Sequence, residues 1–169
     1  MTKWEKGSVF RYKWFIILVL FLIAVQSSFA DNTSHIQGVW KLVSYEVETQ
    51  ATGQKDAVMG ERPGGYAIFT PERVFFVLTK EGRKPAKTVD ERAELLNGMV
   101  AYTGMYRIEG DQWITTVDAA WTPEWVGTEQ RRSFKVNGDR LQVLTVWRVM
   151  PNWPEKGMSR SIITFERTK

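Results

Sequence analysis

Gln130 and Arg132 lie two residues apart in a stretch, 127–136, that reads as a β-strand. Side chains of a strand alternate between two faces, so Thr128, Gln130, Arg132, Phe134 and Val136 share one face. Glu129, Arg131, Ser133 and Lys135 share the other, which is charged or small and suits water. An amide and a guanidinium on the face that carries Phe134 and Val136 need partners. Together they suit recognition, since they can hold a carbonyl or a carboxylate. Proton-transfer and metal chemistry have little to draw on. The chain has one histidine, His35, and no cysteine, which leaves no Ser–His–Asp arrangement and no zinc-type cluster. Gly64-Gly65 lacks the Lys-Ser/Thr of a phosphate loop. Asp118 falls on the face opposite Thr115 and Val117 and is expected in water. No catalytic residue, metal ligand or cofactor is assigned.

The elements that position Gln130 and Arg132 must come from one domain, because 169 residues cannot build two sizeable cores. Residues 1–30 read as a signal peptide. Lys3, Lys6, Arg11 and Lys13 precede an unbroken apolar run of twelve residues, 14–25, and small residues at Ser28 and Ala30 follow. Twelve is short of the roughly 20 that span a bilayer, so cleavage after Ala30 and export to a periplasmic or secreted location are expected, with an uncleaved anchor as the alternative. The whole chain carries +4, but this segment holds four basic residues against Glu5, leaving +1 for residues 31–169. A basic nucleic-acid surface is therefore not expected, nor a membrane partner once the segment is removed. Without cysteine, the mature part must hold together by its core alone.

From Ile36 the chain alternates like an antiparallel sheet. Strands are expected over 36–49, 66–70, 73–79, 102–108, 112–121, 127–136, 140–149 and 158–167. Asn137-Gly138 suits a tight hairpin, because both residues tolerate positive φ. The one convincing helix starts at Thr88, whose spacing to Glu91 is that of a capping box. Val89, Ala93, Leu96 and Val100 then recur at helical spacing, and the helix is expected to pack over one end of the sheet. About eight hairpin-linked strands with one amphipathic helix fit an all-β, antiparallel up-and-down barrel, whose interior holds packed side chains or one small ligand. A sandwich with a helical insert is the alternative.

Gly38-Val39-Trp40 near the first strand's start, with Arg167 near the end of the last, resembles the signature of lipocalins. The longer pattern is Tyr102-x-Gly-x-Tyr106, Gly110-Asp111, Pro123-x-Trp-x-Gly127, Gln130-x-Arg132, Gly138-Asp-Arg-Leu141 and Glu166-Arg167. With Gly65-Tyr66 before a strand, it resembles the bacterial and fungal lipocalin-like domain family over 36–167. The resemblance implies a calycin-type barrel over 31–169, closed at one end by Gly38, Trp40 and Arg167. Relatives often carry an inward histidine on the strand after the Gly-Asp turn; Thr115 stands there in this chain, so imidazole chemistry does not carry over.

By alternation, the expected interior lining includes Leu42, Tyr66, Ile68, Tyr106, Trp113, Thr115 and Val117. It continues through Gln130, Arg132, Phe134, Val143, Thr145, Trp147 and Phe165. Of these, Arg132, Gln130, Trp113, Thr115, Phe134, Trp147, Tyr106 and Tyr66 are the candidate ligand-binding residues. Trp125 and Trp153, in two loops, are placed to flank the mouth. The expected partner is a small hydrophobic or amphipathic molecule, its apolar part against Trp113, Phe134 and Trp147 and its polar end at Arg132 and Gln130. Two alternatives stay open: a cyclase or isomerase that moulds a reactive substrate, and a filled barrel with a structural or interaction role.

Overall fold

The computed structural model describes residues 35–168, so the signal-peptide reading of 1–30 lies outside the described residues. Ten strands form one antiparallel sheet: β1 Gly38–Thr49, β2 Lys55–Asp56, β3 Gly64–Phe69, β4 Arg73–Thr79, β5 Met99–Glu109, β6 Gln112–Ala120, β7 Glu129–Asn137, β8 Arg140–Thr145, β9 Arg148–Val149 and β10 Met158–Arg167. Eight of them close into a barrel in the order β1-β3-β4-β5-β6-β7-β8-β10, with β10 pairing back onto β1. The two-residue strands β2 and β9 are appended to its rim. Closure leaves no long unpaired edge, and the core is the barrel's own interior.

One end is sealed by the residues that carried the resemblance. Trp40 is fully buried, its indole Nε1 donating to the Ile36 carbonyl at 2.7 Å. The Arg167 guanidinium lies 4.1 Å from the Trp40 ring centroid and donates to the carbonyls of Gln37 and His35, each at 2.7 Å. Gly38 has φ of +123°, and a Cβ there would sit 2.7 Å from Arg167 Nη1. The glycine of the motif is thus required twice, by the backbone and by the guanidinium lying against it. Above this seal, Phe69 meets Tyr106 and Trp113 edge-on with centroids 5.5 and 5.0 Å apart, and Trp113 meets Phe134 at 5.9 Å.

Two expectations need correction, the facing of β3 and the role of the helix. The register Trp40↔Ala67 puts Ala67 and Phe69 inside, so Tyr66 and Ile68 face outward, and Tyr66 is 46% exposed. The run Tyr-Ala-Ile-Phe is apolar on both faces, so its own alternation could not say which face was inner. A register shift between Leu42 and Ser44 then swaps the parity of β1 and turns Tyr45 and Val47 inward. Finally, the helix Val89–Asn97 has its full capping box but no buried residue, with Val89 79% exposed. Its apolar stripe is too sparse to cover an end, and Val100 already belongs to β5. Asn152 ties the strand-side end of the helix down, donating to the Asn97 and Met99 carbonyls at 2.6 and 3.1 Å. Met59, Trp125 and Trp153 pack into the core instead, and Met150 is buried as well.

Arg167→Ala removes a stacked cation and two charge-assisted bonds and is expected to cost about 2–3 kcal/mol in urea unfolding, with Arg167→Lys recovering only part. An unchanged midpoint for Arg167→Ala would show that the end is sealed by other contacts.

Candidate functional site

β7 carries the polar centre of the barrel. Its inward residues are Gln130, Arg132, Phe134 and Val136, while Glu129 and Arg131 join Arg107 and Glu109 in an ion-pair network on the outer face. Antiparallel pairing sets Trp113 and Thr145 on either side of Arg132, and Thr115 beside Gln130. Arg132 is only 3% exposed. Its Nη1 donates to the Arg131 carbonyl at 2.9 Å and approaches Gln130 Oε1 at 3.5 Å, with Nη2 at 3.4 Å from that same oxygen.

A second guanidinium reaches the same oxygen. Arg148 Nη1 donates to Gln130 Oε1 at 2.8 Å, and its Nε approaches Met150 Sδ at 3.3 Å. Gln130 Nε2 donates away from the pair, to Thr128 Oγ1 at 2.9 Å, which turns its oxygen toward the arginines. The Trp125 ring is shared as well, lying 4.5 Å from the Arg148 guanidinium and 5.5 Å from that of Arg132. Thr128 Oγ1, itself bonded to the Trp125 carbonyl at 2.8 Å, links this loop to Gln130.

Sequence alternation missed Arg148 and placed Trp147 inside. The chain bends at Trp147, between β8 and β9, and the bend moves Arg148 into the position that alternation gives to Trp147. Trp147 instead packs against Arg160, 4.5 Å from its ring, and Arg160 pairs with Glu48 at 2.6 Å beside the rim. Tyr45 is the other addition, turned inward by the register shift in β1. Its hydroxyl shares a 2.7 Å bond with Ser161, and its ring lies 5.6 Å from Trp153. Tyr106 does face the interior but spends its hydroxyl on the Thr70 carbonyl at 2.9 Å, on the sealed side. Asp118 sits in water and pairs with Arg73 at 2.6 Å.

The electrostatics are one-sided. No carboxylate is among the buried described residues, and neither Arg132 nor Arg148 takes part in an ion pair among them. Burial, with the adjacent Arg132 charge, pulls the Arg148 pKa down to about 10, so both arginines are cations at neutral pH. Burial also raises the phenols of Tyr45 and Tyr102 above the ordinary range, against the opposing pull of both guanidiniums. Neither phenol therefore supplies a counter-charge at neutral pH. Four buried polar atoms around this centre have no hydrogen-bond partner: Arg148 Nη2, Trp113 Nε1, Tyr102 Oη and Thr115 Oγ1. The Trp113 and Arg132 donors adjoin the Tyr102 hydroxyl without completing a bond to it. Every one of the four can donate, and two of them can only donate.

Among the described residues, two hollows outside the barrel stand out. One, about 290 Å³, lies between the helix and the Lys80–Ala86 loop. The other, about 270 Å³, is a nearly apolar groove on the outer face of β4–β6, lined by Phe75, Val77, Ala101 and Trp121 among others. Neither contains Arg132, Arg148 or Gln130.

Gln130→Leu strips the shared acceptor from one buried and one half-buried cation and is expected to cost about 2–3 kcal/mol in denaturant unfolding. A loss below about 0.5 kcal/mol, the size of an ordinary surface change, would mean the guanidiniums find other acceptors. The raised phenols give a second expectation. Tyr45 and Tyr102 add stability that is complete below the ordinary phenol pKa of about 10 and is lost as pH rises through their folded values. Ultraviolet titration should find their ionisation delayed beyond that value and coincident with loss of the β-sheet signal. Ionisation of every tyrosine near pH ~10 in the folded protein would contradict their burial.

The sequence pattern of the lipocalin-like domain family matches residues 37–168, nearly the whole of the barrel described above. No curated protein sequence matches the chain. With its closed eight-stranded barrel and this match across most of its length, the chain belongs to the lipocalin-like domain family.

Proposed function

We propose that this protein binds a small amphipathic molecule inside its barrel, with the polar end at Gln130 and Arg132. The observation that carries the reading is the buried guanidinium of Arg132, held in the interior without a carboxylate and flanked by unpartnered donors. A group of this kind is costly to bury, and a barrel needing only stability is better served by an apolar residue there. Trp113 and Phe134, below Arg132 on the sealed side, supply the apolar surface that the rest of the ligand would meet. Tyr66 and Trp147 have no part in this reading, since both lie on the outside. The N-terminal segment 1–30 makes the protein an exported one, acting in a periplasm or outside the cell. No catalytic step is assigned to these groups.

A barrel with a filled, purely structural interior is the rival. The stacked Phe76–Tyr102 pair and the edge contact of Phe76 with Phe165, at 5.0 and 5.7 Å, favour it for the middle of the barrel. The one-sided charge at Arg132 and Arg148 does not.

Native mass spectrometry of the untagged protein from its own host is expected to find a small molecule that leaves on denaturation. A bare chain that also fails to bind decyl-chain amphiphiles in calorimetry would overturn the reading in favour of the filled barrel.

A further inference from the structure

The chemical class of the ligand's head can be read from the second arginine. We propose that Arg132, Arg148 and the indole N–H of Trp113 form a binding site for a carboxylate, so that the barrel selects anionic amphiphiles over neutral or cationic ones. This deepens the proposed function and rests on it.

Two cations share one neutral oxygen, at 2.8 Å from Arg148 and 3.4 Å from Arg132. Like charges this close repel, and in a barrel interior little water screens them. Gln130 Oε1 serves both, yet it leaves Arg148 Nη2 without an acceptor. Trp113 Nε1 is likewise a buried donor without an acceptor, on the cross-strand neighbour of Arg132. A neutral head such as an alcohol would relieve one donor and leave the repulsion in place. An ammonium head would add a third cation. A carboxylate brings the missing charge, and its two oxygens offer about four acceptor positions in the plane that guanidinium forks address. The hydroxyls of Tyr102 and Thr115, both buried and unpartnered, can turn to donate to the same oxygens. Trp125 lies against both guanidiniums, so its indole reports on anything that reaches the pair.

Gln130→Glu provides the sharpest variant, because it sets a carboxylate of the protein's own between the two guanidiniums with almost no change in shape. It is expected to fold, to melt at a higher temperature than the natural protein, and to bind decanoate at least tenfold more weakly. Calorimetry on the natural protein should find decanoate bound at least tenfold more tightly than decanol, with decylammonium weaker still. Arg148→Met should lose that preference while keeping the sheet signal, and Arg131→Gln on the outer face should leave it intact. Equal binding of decanoate and decanol, or full decanoate affinity in Gln130→Glu, would overturn the carboxylate site and leave barrel binding standing. Failure of all three amphiphiles to bind the folded natural protein would overturn both.

Discussion

One amide oxygen, Oε1 of Gln130, carries two guanidiniums inside the barrel, and the arrangement around it depends on that sharing. Without it, Arg148 would be a half-buried cation whose other side-chain acceptor is a thioether sulfur. The Gln130 orientation is in turn fixed by Thr128, and Thr128 by the turn that carries Trp125. Loop, amide and arginines thus form one chain of contacts from the rim to the middle of the barrel. An arrangement whose charges are all of one sign works against stability, which is why it points toward a partner from outside the chain.

The two ends of the barrel use the same pair of side-chain types in opposite ways. At the sealed end, Arg167 lies over Trp40 and spends its donors on the carbonyls of Gln37 and His35. That cation is satisfied within the chain. Toward the other end, Arg148 lies over Trp125 at a similar distance but keeps one buried nitrogen without an acceptor. Stacking on an indole is common to both; the backbone carbonyls are what differ. The aromatic core between the ends, from Phe69 and Trp113 to Phe76 and Phe165, holds the strands in the register that sets Trp113 beside Arg132.

Much of this was legible in the sequence, for reasons that are local. The β7 face with Gln130 and Arg132 could be read because its two faces differ sharply in polarity, whereas its pairing with Thr115 across the loop of residues 121–128 is set by the fold. The capping box at Thr88 was legible because it is made by residues three apart. What that helix covers was not, since it depends on surfaces distant in the chain, and the helix in fact buries none of its own residues. Tyr66 was misplaced because β3 is apolar on both faces and takes its register from Trp40. Tyr45 and Arg148 escaped notice for one reason: an irregularity in β1 and a bend before β9 each reset the alternation. A single extra residue in a strand turns every later side chain over, and sequence carries little sign of it. The most informative residue of the candidate site, Arg148, was hidden by such a reset.

The most direct measurement is a crystal structure of the protein grown with decanoate. Carboxylate density is expected between the guanidiniums of Arg132 and Arg148, within hydrogen-bonding reach of Trp113 Nε1. Decanoate bound only in the apolar groove outside β4–β6, with water on Arg148 Nη2, would contradict it.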